Sequence, residues 1–214
     1  MYTETAVSRV CGLYAIPPET ADLKQLQEWV GHAIRGGARI VQYRAKTLSG
    51  SVRLLQASAL ARQCREQGTV FIVNDHTDLA HESGADGVHL GQSDLEGMVA
   101  RPPRPFLVGI SCHDDLDLAR KAYEWGADYV AFGSFFPSPT KPAARPVPLS
   151  VLQQARHRIP LPLVAIGGIT PERASDVINA GAHAIAVISS LFHKPDCIFS
   201  TARQFSLCFQ GHHD

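Results

Sequence analysis

The chain has 214 residues, of which 45% are hydrophobic and 19% charged, enough to bury a large core as one domain spanning 1–214. Lys plus Arg and Asp plus Glu each number 20, so the formal charge is zero and nothing in the balance points to nucleic acid or an anionic membrane. Five scattered cysteines (Cys11, Cys64, Cys112, Cys197 and Cys208) with no Cys-x-x-Cys pair argue against a disulfide framework or a zinc site and favour a reducing, cytoplasmic setting.

The opening MYTETAVSRV carries Glu4 and lacks the basic-then-apolar pattern of a secretory leader, and no apolar run approaches the ~20 residues that a spanning helix needs. Short apolar runs follow in order: CGLYAI (11–16), RIVQYRA (39–45), VFIVND (70–75), GVHLGQ (87–92), FLVGIS (106–111), YVAFGSF (129–135), LVAIGG (163–168) and AIAVIS (184–189). They are rich in Val, Ile and aromatics and mostly continuous, as parallel strands covered on both faces are. Helical spacing fills the gaps: Leu23, Leu26, Val30 and Ile34 after the first run, and less regularly Leu54, Leu55, Ala59 and Cys64 after the second. Thr170-Pro171-Glu172 reads as a helix start, with proline at the first helical position.

Gly-Ala recurs just before alternate strands, in GGARIVQ, SGADGVHLG, WGADYVAFG and AGAHAIAVI, at Gly37, Gly84, Gly126 and Gly181. This internal repeat predicts strand–helix units closing as a (β/α)₈ TIM barrel. An open doubly wound sheet would want Gly-x-Gly-x-x-Gly after the first strand, where Pro17-Pro18-Glu19-Thr20 stands instead.

A barrel of this kind carries its site at the C-terminal ends of the strands, and those ends are polar here. Strand two runs out through Gln42, Arg44 and Lys46, strand three ends in Asn74 and Asp75, and strand four ends in Gln92, with Asp94 just beyond. Ser111 and His113 end strand five; Ser138, Thr140 and Lys141 follow strand six, Gly167-Gly168 strand seven, and Ile188-Ser189 strand eight. Carboxylates on neighbouring strands about 4.8 Å apart repel unless a cation lies between them, and magnesium, which takes one or two carboxylates and leaves the rest of its shell to water and phosphate, suits the gap. Helix capping competes as an explanation for Asp75 or Asp94 taken singly. Arg44, Lys46 and Lys141 with a divalent ion match a pyrophosphate. The Gly-Gly turn before Pro171, with Ser189, suggests a second phosphate site, although close packing explains two glycines equally well.

The set QYRAK (42–46), VND (73–75), HLGQSD (89–94), GISCH (109–113), FGSFFPSPTK (132–141), AIGGI (165–169) and AVIS (186–189) resembles the thiamine-phosphate synthase family, from about Gly12 to Ser189. The resemblance implies joining of a hydroxymethylpyrimidine diphosphate to a thiazole phosphate, with release of pyrophosphate. By position it implies that Gln42, Arg44, Lys46, Asn74, Ser111 and Lys141 hold the pyrimidine diphosphate, with Arg44, Lys46, Ser111 and Lys141 acting in catalysis. It assigns Asp75 and Asp94 to Mg2+, and Ser138, Thr140, Gly168, Ile188 and Ser189 to the thiazole phosphate. Ala45 departs from the family pattern, which often has an acidic or amide residue there, and Ser138 stands where Thr is frequent. His89 and His113 are read as core or supporting histidines. A thiazole tautomerase using His113 and a non-catalytic phosphate sensor are the alternatives. Monomer and homodimer fit the sequence equally.

Overall fold

The computed structural model describes residues 9–93, 101–138 and 145–210. Eight parallel strands close into a barrel in sequence order: β1 Gly12–Ala15, β2 Ala38–Tyr43, β3 Val70–Asn74, β4 Gly87–Leu90, β5 Leu107–His113, β6 Tyr129–Phe132, β7 Leu163–Ile166 and β8 Ala184–Val187, with β8 paired back onto β1. Helices α1 Leu23–Arg35, α2 Gly50–Glu66, α3 Thr77–Ser83, α4 Leu116–Trp125, α5 Ser150–Arg158, α6 Pro171–Asn179, the short α7 Ser189–Phe192 and α8 Ile198–Cys208 surround it. The eight expected strands and the closed barrel are all present, with ends shifted by a few residues.

Strand alternation divides the apolar residues into two cores. Tyr14, Ile40, Ile72, Leu107, Tyr129, Val164 and Ala186 pack inside the barrel. Leu13, Val41, Phe71, Val88, Ile110, Phe132 and Ile185 face outward and pack with Val30, Leu60, Leu152 and Val177 of the helices. Both faces of each strand are therefore dry, which is why the runs look continuous in sequence.

The four repeated glycines do one job. Gly37, Gly84, Gly126 and Gly181 have φ of 109°, 73°, 101° and 117°, the left-handed conformation that ends a helix and turns the chain into the next strand. Starts are equally local: the carboxylate of Asp22 accepts from the Gln25 amide at the head of α1, and that of Asp115 from the Asp117 and Leu118 amides at the head of α4. Thr170 occupies the N-cap position of α6, with Pro171 at the first helical position, as expected, although the Thr170 side chain makes no capping hydrogen bond.

One helix face departs from expectation. In α2 the residues turned to the barrel are Ala57, Leu60, Ala61 and Cys64, while Leu54 is 36% and Leu55 60% exposed. Small residues on the buried face let α2 lie close to the strands, which leaves the two leucines on the outer side. After β8 the chain continues into α8, whose Ile198, Ala202 and Phe205 are buried and which packs on α1 and α6. A Cβ on Gly36 would lie 2.5 Å from Ala202 Cβ, so that glycine permits the contact. Among the described residues no helix is long and apolar enough to cross a membrane, and all five cysteines are free thiols.

Candidate active site

The C-terminal rim encloses a cavity of about 540 Å³. Its wall includes Gln42, Arg44, Lys46, Asn74, Asp75, Ser111, Ser138 and Ile188, eight of the residues singled out from sequence. They converge because alternate positions of β2 and its extension face inward: Gln42, Arg44 and Lys46 line the cavity, whereas Tyr43 and Ala45 belong to the outer core. A larger side chain at Ala45 would meet the surrounding helices rather than a ligand. Of the residues expected at the thiazole phosphate, Ile188 lines the cavity, whereas Gly168 and Ser189 do not, and Gly167 does so beside Gly168. Asp94, Thr140 and Lys141 lie outside the described residues.

Asp75 follows the last residue of β3, and its amide donates to the His89 carbonyl at 2.9 Å, extending the ladder to β4 by one bond. Its φ of 65° then turns the chain, a conformation Asp adopts more readily than most residues. The N-cap of α3 is His76, so Asp75 does not occupy the capping position.

Beneath the rim runs a buried chain of hydrogen bonds that the sequence reading did not find. Gln42 Nε2 donates to the Tyr14 hydroxyl (2.8 Å), the Tyr14 and Tyr129 hydroxyls meet at 3.0 Å, His89 Nδ1 lies 3.1 Å from the Tyr129 hydroxyl, and His89 Nε2 lies 2.9 Å from Ser111 Oγ. Donor accounting orients it. In the orientation that gives every proton along the chain an acceptor, Tyr14, which accepts from Gln42, donates to Tyr129; Tyr129 donates to His89 Nδ1; and a neutral His89 carries its proton on Nε2 and donates to Ser111. The Ser111 hydroxyl proton is left to face the cavity as a donor. Burial pushes the Tyr14 and Tyr129 hydroxyls well above the ordinary tyrosine range, so both stay neutral.

Gly109 makes this arrangement possible. It pairs with Tyr129 across the β5–β6 ladder, and a Cβ on it would lie 1.9 Å from Tyr129 Cζ. The signal available in sequence was a tyrosine in the middle of a buried strand, whose hydroxyl must find a partner.

The turn after β7 is tightly packed. Gly167 and Gly168 have φ of 105° and 63°, and a Cβ on either would come within 2.0 Å of Ser134 Oγ or 2.4 Å of the Pro137 carbonyl. The Phe136 amide donates to the Gly167 carbonyl (3.0 Å) and Ser190 Oγ to the Ile169 carbonyl (2.6 Å), joining the loops after β6, β7 and β8. Close packing is therefore demonstrated for the glycine pair.

A hard-oxygen donor for a magnesium ion is present in Asp75. Among the described residues no cluster of three or more His, Cys, Asp or Glu forms a closed metal cage. That donor set fits an ion held by few protein ligands and completed by water and substrate phosphate.

Residues 13–191 match the thiamine monophosphate synthase family. The chain is 50% identical over 188 residues to a thiamine-phosphate synthase of Thiobacillus denitrificans, covering 86% of this chain and 89% of that one, and 47% identical over 208 residues to that of Alcanivorax borkumensis, covering 94% and 95%. Among solved structures it resembles a thiamine phosphate pyrophosphorylase from Pyrococcus furiosus, with a TM-score of 0.81 and 27% identity over 96% of this chain and 98% of that one. The barrel, the motifs on its rim and the near full-length identity agree, and the chain belongs to the thiamine-phosphate synthase family.

Proposed function

We propose that this thiamine-phosphate synthase joins its two substrates in the cavity at the C-terminal rim, with the pyrimidine diphosphate over β2, β3 and β5 and the thiazole phosphate toward β7 and β8. The convergence of Gln42, Arg44, Lys46, Asn74, Asp75 and Ser111 on one cavity carries the reading. Arg44 offers paired guanidinium donors and Lys46 a point charge for the diphosphate oxygens. The free O–H of Ser111 adds a neutral donor, and Gln42 and Asn74 contribute amides to the pyrimidine side.

The bond between the pyrimidine methylene carbon and the diphosphate oxygen breaks, with the electron pair leaving on pyrophosphate. The thiazole nitrogen lone pair then forms the new C–N bond. That nitrogen carries no proton to lose, so no general base and no protein nucleophile are required. Charge stabilisation by Arg44, Lys46 and the proposed Lys141, together with alignment of the two substrates, is the work left to the chain. Asp75 and the proposed Asp94 would hold a magnesium ion, which when bound neutralises charge on the departing pyrophosphate. Ser138, Thr140, Gly168, Ile188 and Ser189 are assigned to the thiazole phosphate; α7 begins at Ser189, where the first amides of a helix lack intrahelical acceptors. We assign the protein to a reducing, cytoplasmic compartment on its free cysteines, with small phosphorylated molecules as its partners and all 214 residues as one catalytic unit.

Incubating the purified protein with magnesium and both substrates should release pyrophosphate and thiamine phosphate in equal amounts. Isomerisation of a thiazole without pyrophosphate release would make the protein a tautomerase, and binding without turnover would make it a sensor.

A further inference from the structure

The loop after β1 meets the loop that carries Lys46. The Glu19 carboxylate accepts four hydrogen bonds from that loop: Oε2 from the Lys46 amide (3.0 Å), and Oε1 from the Thr47 amide (2.8 Å), the Thr47 hydroxyl (2.8 Å) and the Leu48 amide (2.9 Å). Three successive amides thus wrap one anion. The donors lie 27 to 29 residues from Glu19 in sequence, so this is a tertiary clamp and not a local turn.

The clamp has a firm base. Pro17 and Pro18 restrict the backbone just before Glu19. The Thr20 carbonyl accepts from Gln56 Nε2 (2.9 Å), and Gln56 Oε1 accepts from the Tyr43 hydroxyl (2.8 Å), which ties this loop to α2 and to the end of β2. Burial would raise the Glu19 carboxyl, but the hydrogen bonds from Lys46, Thr47 and Leu48 outweigh it and hold it down at about 2, so the clamp is charged throughout the neutral range. Among the described residues Glu19 forms no ion pair. Its charge is taken up by backbone amides, and the Lys46 side chain lines the cavity.

A carboxylate beside a site for a diphosphate repels the ligand, so its presence on this rim calls for a reason. We propose that Glu19 is a positioning residue for the reaction: it fixes the backbone from which Lys46 projects, and so sets the Lys46 ammonium against the pyrimidine diphosphate. The inference rests on the assignment of Lys46 to that substrate.

Glu19→Gln separates the clamp from general loop stability. The amide oxygen retains the three bonds made by Oε1, while the new NH2 faces the Lys46 N–H, donor against donor. The variant should raise KM for the pyrimidine diphosphate about tenfold, the size of one lost charged hydrogen bond, with KM for the thiazole phosphate and the thermal midpoint nearly unchanged. Introduced beside Lys46→Ala, the same change should add little, because its route of action is already gone. An unchanged KM in Glu19→Gln, an equal loss for both substrates, or full additivity with Lys46→Ala would overturn the proposal while leaving Lys46 as a ligand contact. A Lys46→Ala enzyme with normal KM would overturn the assignment of Lys46 itself, and the clamp proposal with it.

Discussion

Replacing Tyr129 by Phe tests the polarity of the buried chain. The change removes one hydroxyl with almost no change of volume, from a residue that is 1% exposed. Two hydrogen bonds are lost: the one from the Tyr14 O–H, which donated to Tyr129 across 3.0 Å, and the one to His89 Nδ1, which accepted across 3.1 Å. An unsatisfied buried group costs about 1 to 3 kcal/mol, so the pair amounts to about 2 to 4 kcal/mol if cavity water partly serves His89. For a chain of this size that lowers the thermal midpoint by roughly 5 to 15 °C. The kinetic effect is more diagnostic. Without a donor at Nδ1, His89 is free to carry its proton there, Nε2 becomes an acceptor, and Ser111 turns its own proton inward instead of toward the diphosphate. The kcat/KM for the pyrimidine diphosphate should fall about tenfold, less than the 10² to 10³ of a deleted donor because Ser111 is still present. Tyr14→Phe is the control: it strands Gln42 Nε2 yet leaves Tyr129 donating to His89, so it should lose stability while keeping activity within about threefold. Calorimetry and pyrophosphate-release kinetics on the two variants give the comparison. Equal activity losses in both, or normal activity in Tyr129→Phe, would refute the orientation derived for the chain.

Gly109→Ala should destabilise by about 3 kcal/mol or more, seen as a lowered thermal midpoint, because the added methyl would lie 1.9 Å from the Tyr129 ring and the ring cannot leave a closed barrel; Gly50→Ala, with nothing within 4 Å of the new methyl, should not. Stability should also fall with acidification through His183. Desolvation, then the nearby Arg156, holds its imidazole down to about 4, and its Nδ1 accepts from the Leu163 amide. The unfolded chain therefore binds a proton that the folded one refuses between about pH 6.5 and 4, and stability present above pH 6.5 is lost across that window, by up to about 3 kcal/mol. Thermal midpoints at pH 7.5 and 5 should differ less in His183→Gln than in the parent protein; an identical pH dependence would remove His183 as the cause.

The parts of this architecture that were readable in the chain are those set by local chemistry. Glycines at 37, 84, 126 and 181 announce left-handed helix ends whatever they pack against, and the Val- and Ile-rich runs announce strands buried on both faces. Rim residues followed from period-two alternation once the barrel was assumed, which is how Gln42, Arg44 and Lys46 were placed on one wall. What escaped depends on closure. That Tyr14, Tyr129 and His89 meet in the interior is decided by the stagger of β1, β4 and β6 and by the space left at Gly109, none of which a single strand encodes. The Glu19 clamp escaped for the same reason, since its partners are more than twenty-five residues away. The outward turn of Leu54 and Leu55 went unread because α2 carries apolar residues on two faces and the barrel selects the one with small side chains.

The central claim is that one magnesium ion joins Asp75 and Asp94 to the diphosphate, and a magnesium titration of Asp75→Asn, Asp94→Asn and the double variant tests it most directly. Asn tolerates the left-handed backbone of residue 75, where φ is 65°, so the first change removes charge without adding strain. Each single variant should lose most of its activity and need more magnesium for half-maximal rate, and the double variant should lose little more, because either carboxylate's removal already breaks the shared site. Additive losses of thermal stability with an unchanged magnesium requirement would contradict the shared ion and the diphosphate mechanism built on it.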